Sequence, residues 1–288
     1  MRTPPTPPIA LTIAGSDSGG SAGLQADLRT LFACGVHAVS AVTAVTVQNS
    51  LGVRDYSEVE PAKVAAQITT VTADIAVGAA KTGMLASKGI IEAVCSGCDD
   101  SAIGQGSRIP LVVDPVAASM HGTPLLSEEA LRTLCTELIP RSTLVTPNLD
   151  EVLLLTGVDV TGPETQRDAG KALLDLGAQW ALVKGGHMRD STECLDLLVG
   201  PDTELPLRGP RYDTRHTHGG GDTMASTITA ALARGHTMTE AVTAGKRFVQ
   251  RAVSAAYPLG SGVGPVSPFW QLPDVPFTES SAGPSTEV

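Results

Sequence analysis

The 288-residue chain carries 30 acidic and 20 basic side chains, a net charge of −10, with 42% hydrophobic and 17% charged residues. This composition fits one soluble α/β chain with a sizeable core. The absence of any Lys/Arg cluster excludes a nucleic-acid surface, which needs a basic stripe, and strand-length apolar runs exclude a helical membrane span.

The N-terminus, MRTPPTPPIAL, has no signal-peptide apolar region, so a cytoplasmic location is expected. The run IALTIAG (residues 9–15) predicts a first strand. A helix follows, with Leu24, Leu28, Leu31 and Phe32 on one face and Gly35 as its stop. VHAVSAVTAVTVQ predicts a second strand. SEVE, starting at Ser57, has capping-box spacing; Pro61 would sit in the first turn and Val64, Ile68 and Val71 would mark the buried face. DIAVGAAKTG, IPLVVDP, STLVTPN and WALVKGG predict further strands separated by helices, with weaker strand signals in CLDLLVG and residues 205–212. Cys95 and Cys98 form a lone C-x-x-C with no second pair at zinc spacing, which reads as a helix end. Five scattered cysteines, an odd number, give no disulfide framework.

Alternation of strand and helix predicts a three-layer α/β/α fold with a mostly parallel central sheet, in a single domain over residues 1–275 followed by a disordered tail over 276–288. Parallel strands place their carboxyl ends on one edge, where ligands bind. The predicted strands end in Gly15-Ser16-Asp17, Gln48-Asn49, Lys81-Thr82-Gly83-Met84, Asp114-Pro115, Thr146-Pro147-Asn148 (with Glu151 just behind) and Lys184-Gly185-Gly186. Six polar tips are thereby expected around one cavity.

Residues 217–235, THGGGDTMASTITAALARG, add a glycine run at the mouth of a helix. This is not a Walker loop, because the lysine is missing, as it also is in GSDSGG at Gly15. Met224, Ala225, Ile228, Ala231 and Leu232 predict the buried stripe of this helix, and Gly235 its stop. Bare N–H groups at a helix start make an anion site. Asp222 there is either a helix cap or a proton acceptor beside a transferable phosphoryl group. His216 and His218 flank the loop and His187 follows the Lys184 strand; all three read as loop or phosphate-adjacent hydrogen-bonding groups. Thr237 and Glu240 predict a capped last helix, on which Lys246 is either a charge within reach of a nucleotide or, the reading preferred, a solvated lysine.

HGGGDT resembles the anion-hole motif of ribokinase-type kinases. Together with AGSDSGGSAGLQADLRTL, AVTAVTVQNSLGV, AAKTGMLAS, VVDPV, TPNLDEVLLLTG and ALVKGGH, it is similar to the hydroxymethylpyrimidine/phosphomethylpyrimidine kinase family over residues 9–256. The resemblance implies a ribokinase-like fold. It also implies ATP- and Mg²⁺-dependent phosphorylation of 4-amino-5-hydroxymethyl-2-methylpyrimidine, and then of its monophosphate, in thiamin biosynthesis, with pyridoxal kinase activity or a non-catalytic ligand-binding role as alternatives. It implies that Gln48, Asp27, Gly15 and Met84 bind the pyrimidine. Asp114 and Glu151 would organise magnesium, and Asn148, Thr146 and Lys184 would face the nucleotide. Gly219, Gly220 and Gly221 would form the anion hole, with Asp222 as base. A homodimer is also implied. The sequence departs from the family in Asp222 where cysteine is common, in Gly220 where threonine or alanine is usual, and in Thr82 where isoleucine is common.

Overall fold

The computed structural model describes residues 5–117, 126–186 and 193–271. The expected tail, and His187, lie outside the described residues. In chain order the strands are β1 (Ile9–Ser16), β2 (His37–Asn49), β3 (Gly52–Glu58), β4 (Ala79–Thr82), β5 (Leu111–Val113), β6 (Leu144–Val145), β7 (Ala181–Val183), β8 (Glu193–Gly200) and β9 (Thr203–Pro210). The helices are α1 (Gly23–Ala33), α2 (Pro61–Asp74), α3 (Lys88–Asp100), α4 (Glu128–Thr133), α5 (Leu149–Thr156), α6 (Pro163–Asp175), α7 (Gly220–Ala233) and α8 (Met238–Ser254).

One sheet runs β3-β2-β1-β4-β5-β6-β7-β8-β9. Its six central strands, β2 to β7 in that order, are parallel; β3, β8 and β9 pair antiparallel at the two edges. The central strands β4 to β7 are short runs with every residue buried, as a sheet covered on two sides requires, while β2 runs for 13 residues and is partly exposed. Side chains alternate between two cores. Leu111, Val113, Ala181 and Val183 join the cluster under α2 to α6, while Val112 and Leu182 join Met224, Ile228 and Val242 under α7 and α8. Period-2 alternation along a strand produces this division.

Local expectations fail in two places. The predicted face of α1 is rotated: Leu24 and Leu31 are buried, but Leu28 and Phe32 are 37% and 69% exposed, because the buried face is centred on Asp27 and Thr30. SEVE forms no capping box. Ser57 and Glu58 belong to β3, the N-cap of α2 is Glu60, and Glu58 accepts a hydrogen bond from Ser87 instead. The α7 stripe is really a whole buried helix, with every residue from Thr223 to Ala231 enclosed. Cys95 and Cys98 face the core from α3, and burial pushes the Cys95 thiol up to about 12, so neither is poised as a thiolate. The Thr237–Glu240 capping box forms as read.

Gly170 on α6 shows how closely a helix packs on the sheet beside its edge. A Cβ there would lie 2.4 Å from Cγ2 of Val199 on β8. Gly170→Val is therefore expected to lower the unfolding free energy by about 1–3 kcal/mol through overpacking, read as a lower urea midpoint.

Candidate functional site

The carboxyl ends of β1, β2 and β4 to β7 open into one cavity of about 610 Å³. The chain reverses direction across the sheet at β1, which lies between β2 and β4, so the cavity occupies a topological switch point. Gly15, Gln48, Met84, Asp114, Asn148, Glu151, Lys184, Gly219, Gly220, Gly221 and Asp222 all line it.

The glycine loop is shaped by close approaches. Gly219 has φ +74°, and a Cβ there would lie 2.1 Å from the Ser21 carbonyl oxygen, so only glycine fits against the β1–α1 loop. The Gly220 N–H donates to Thr217 O at 3.1 Å. That corrects its expected part in the anion hole: Gly220 supplies room, while its donor is used inside the loop. The bond from Thr223 N to Gly219 O opens the helix, which leaves the Gly221 and Asp222 N–H groups without a helical acceptor. A Cβ on Gly221 would come within 3.3 Å of Asp114 Oδ2 and 3.4 Å of Lys184 Nζ. The bare backbone thus leaves a cradle between amides, a carboxylate and an ammonium, of a size and polarity suited to a phosphate group.

Two buried charge groups flank the cradle. In the first, Lys184 Nζ lies 3.2 Å from Asp114 Oδ1, with Glu151 close by. Burial disfavours the Lys184 charge, but Asp114 and Glu151 hold its pKa above the ordinary lysine value. Asn148 and Glu151 form a capping box on α5, each side chain accepting from the other's N–H at 2.9 and 2.8 Å. Burial pushes the Glu151 carboxyl up to about 7; Lys184 pulls it down and Asp114 pushes it further up. Two hard-oxygen carboxylates, one of them lacking sufficient positive charge nearby, are a donor set that fits a divalent cation.

In the second group, Lys81 is fully buried. It lies 2.7 Å from Asp27 Oδ1 and 3.4 Å from Asp222 Oδ1. Burial opposes its charge, yet Asp27, Asp222 and Asp114 hold its pKa above the ordinary lysine value. Burial pushes Asp222 up to about 6, against the pull of Lys81.

Asp27 was expected in the pyrimidine pocket and is not there. It is wholly enclosed, accepting from Thr12, Lys81 and Ser226 at 2.6, 2.7 and 2.7 Å, because its helix face points into the sheet. Thr146 was expected beside the nucleotide; it is also fully buried, one layer back, with its hydroxyl 3.4 Å from Asp114 Oδ1. Lys246 is not solvated: it is 6% exposed, bonded to Asp196 Oδ2 at 2.8 Å and to Cys194 O, and borders the cavity.

Sequence reading places Lys81 and Asp17 among the polar strand tips without an individual role, and does not single out Asp196. Asp17 accepts from the N–H groups of Gly19, Ser21 and Ala22, which fixes the β1–α1 loop. Asp196 accepts from Gly185 N and fixes the turn after Lys184. His218 Nε2 meets Gln48 Nε2 at 3.3 Å, and burial holds His218 below its ordinary value, with Asp17 pulling the other way. A neutral ring can accept the Gln48 amide proton there, so the amide oxygen remains for a ligand N–H. His216 accepts from Gly264 N. A Gly15 Cβ would press within 3.4 Å of the Met84 sulfur, so Gly15 makes room for a thioether at the cavity wall.

Comparison with known proteins agrees with this arrangement. The pattern of the phosphomethylpyrimidine kinase family matches residues 17–267. The hydroxymethylpyrimidine/phosphomethylpyrimidine kinase of Mycobacterium leprae is 53% identical over 270 residues, covering 92% of this chain and 95% of the relative. Among solved structures, an ADP complex of Bacillus subtilis pyridoxal kinase superposes with a TM-score of 0.81 at 33% identity, covering 91% of this chain and 97% of that one. A phosphomethylpyrimidine kinase from Clostridium difficile 630 gives a TM-score of 0.75 at 36% identity, covering 85% and 99%.

In the ligand-free protein the Glu151 carboxyl is expected to titrate near pH 7, followed by carbon-13 NMR of the carboxyl carbons. Because Lys184 lowers that value, Lys184→Met should move the midpoint upward. An ordinary carboxylate value in both proteins would contradict the electrostatics described here.

Proposed function

The chain belongs to the phosphomethylpyrimidine kinase family, and from that premise we propose that it phosphorylates the hydroxymethyl group of 4-amino-5-hydroxymethyl-2-methylpyrimidine and then the resulting monophosphate, in thiamin biosynthesis. The observation that carries this reading is the bare glycine cradle between Asp222 and the Asp114–Lys184 pair, with Gln48 on the same cavity. ATP, when bound, supplies the transferable phosphoryl group, and Mg²⁺ offsets charge on its oxygens.

The chain's own residues then divide the work. Gln48 offers an amide to the aminopyrimidine, and Met84, beside Gly15, packs against the ring. Asp222 takes the proton of the hydroxymethyl oxygen as that oxygen bonds to phosphorus and the bond to the ADP oxygen breaks. The Gly221 and Asp222 amides and Lys184 stabilise charge on the phosphoryl oxygens. Asp114 and Glu151 would hold the cation, and Asn148 faces the nucleotide phosphates. The exposed Val45, Val47 and Leu51 at one end of the sheet, 54%, 56% and 68% exposed, support a homodimer that covers them, testable by sedimentation. No helix of the described residues is long and apolar enough to cross a membrane; we place the reaction in the cytoplasm, where ATP is supplied.

A second reading, pyridoxal phosphorylation, is favoured by the fold shared with pyridoxal kinases. Comparing kcat/KM for the pyrimidine alcohol and for pyridoxal decides between them; a higher value for pyridoxal would reverse the assignment.

The base role makes two further predictions. Asp222→Asn should lower kcat for the alcohol by about 10²-fold or more, with nucleotide affinity retained, and should affect the second step far less, because a phosphate acceptor is already deprotonated. A few-fold loss in both steps would leave Asp222 as a helix cap. Asp222 is a competent carboxylate above about pH 6 and protonated below it. The kcat/KM for the alcohol should therefore fall as pH drops through that value.

A further inference from the structure

The most deeply buried charge near the cradle belongs to a residue with no place in the steps above. Lys81 is fully enclosed on β4, and its ammonium meets two carboxylates from different parts of the chain: Asp27 on α1 at 2.7 Å and Asp222 at the start of α7 at 3.4 Å. Asp27 in turn takes a hydrogen bond from Ser226, one helical turn beyond Asp222 on the same helix, and another from Thr12 on β1. Asp27 thus grips α7 at Ser226 and the lysine at the same time. This arrangement leaves the ammonium little freedom except toward Asp222 Oδ1. Gly83 borders the pair: a Cβ there would lie at ordinary contact distance from both, 3.5 Å from Lys81 Nζ and 3.9 Å from Asp222 Oδ1.

We propose that Lys81, anchored by Asp27, is a positioning residue for Asp222, fixing the direction of its carboxylate and keeping it ionised within a buried site. The proposal deepens the reading of Asp222 as base and rests on it. A carboxylate removed from water tends to protonate, and a protonated Asp222 cannot take the alcohol's proton. Four charged groups act on Asp222: Lys81 from β4, Asp27 from α1, Asp114 after β5 and Lys184 after β7. Lys81 is the cation in contact with it, and Asp27 and Asp114 oppose its ionisation. Lys184 is committed to Asp114 at 3.2 Å. Asp27, at 2.7 Å, fixes where the ammonium sits, while Asp222 at 3.4 Å remains its counter-charge when Asp27 is neutral.

The test separates electrostatic control from simple packing, because the two partners should act in opposite directions. The carbon-13 titration of the Asp222 carboxyl is followed in the ligand-free protein, together with the acid limb of kcat/KM for the alcohol at saturating Mg²⁺. Lys81→Met is expected to raise the Asp222 midpoint by about one unit or more, a tenfold loss of the ionised form at pH values below it. Asp27→Asn removes an opposing charge and should lower the midpoint. Should Lys81→Met fail to fold with Asp27 left unpaired, the double variant Lys81→Met/Asp27→Asn leaves no lone buried charge, and its midpoint should still lie above that of the parent. Midpoints that stay put in all variants, or that move the same way for Lys81→Met and Asp27→Asn, overturn the proposal. Midpoints that move oppositely while the acid limb stays fixed uphold the hold of Lys81 on Asp222 and overturn Asp222 as the base.

Discussion

Charged groups taken out of water must find opposite charge or lose their own, and this requirement organises the carboxyl edge of the sheet. Four carboxylates gather there around two lysines: Asp27 and Asp222 around Lys81, and Asp114 and Glu151 around Lys184. Neither group is balanced. Each has two carboxylates around one ammonium, and in each one carboxyl is driven above its ordinary value. A site built this way is ready for added positive charge on the Glu151 side and for a proton to arrive on the Asp222 side.

The sheet places these groups. Asp114 and Lys184 follow strand ends, Glu151 and Asp222 stand in first helical turns, Lys81 lies on β4 and Asp27 on α1, and parallel pairing brings these elements to one edge. Asp17 and Asp196 hold the adjoining turns by accepting backbone N–H groups, so the edge is stiffened by hydrogen bonds that the cavity does not use.

Much of this was legible in the sequence, because strand periodicity and polar strand ends are local signals. The strand-end positions Gly15, Gln48, Met84, Asp114, Asn148, Glu151 and Lys184, and the glycine loop from Gly219 to Asp222, all reach the cavity. What was not legible depends on partners far apart in the chain. Lys81 stands inside a buried strand, and its ionic partners are separated from it by 54 and 141 residues, so no local pattern shows why it is there. Asp27 and Thr146 were misplaced by one layer for the same reason: sequence spacing gives the end of an element, whereas packing decides which side of that end a side chain faces. Lys246 reads as solvated from its place on the helix, but packing brings it against Asp196 on β8, fifty residues away. In α1 the apolar spacing pointed to Leu28 and Phe32, but the helix turns its polar Asp27 inward, because the buried lysine requires it.

Gly219 joins two loops that lie nearly two hundred residues apart, pressing its backbone against Ser21 where no methyl group can intervene. Beside it, His218 touches Gln48. Ring recognition and phosphate handling therefore share one mechanical seam. A lengthened first loop or a bulkier third one would disturb both at once, so a lineage drifting toward a different ring has its freedom in the remaining cavity wall and very little of it along this contact.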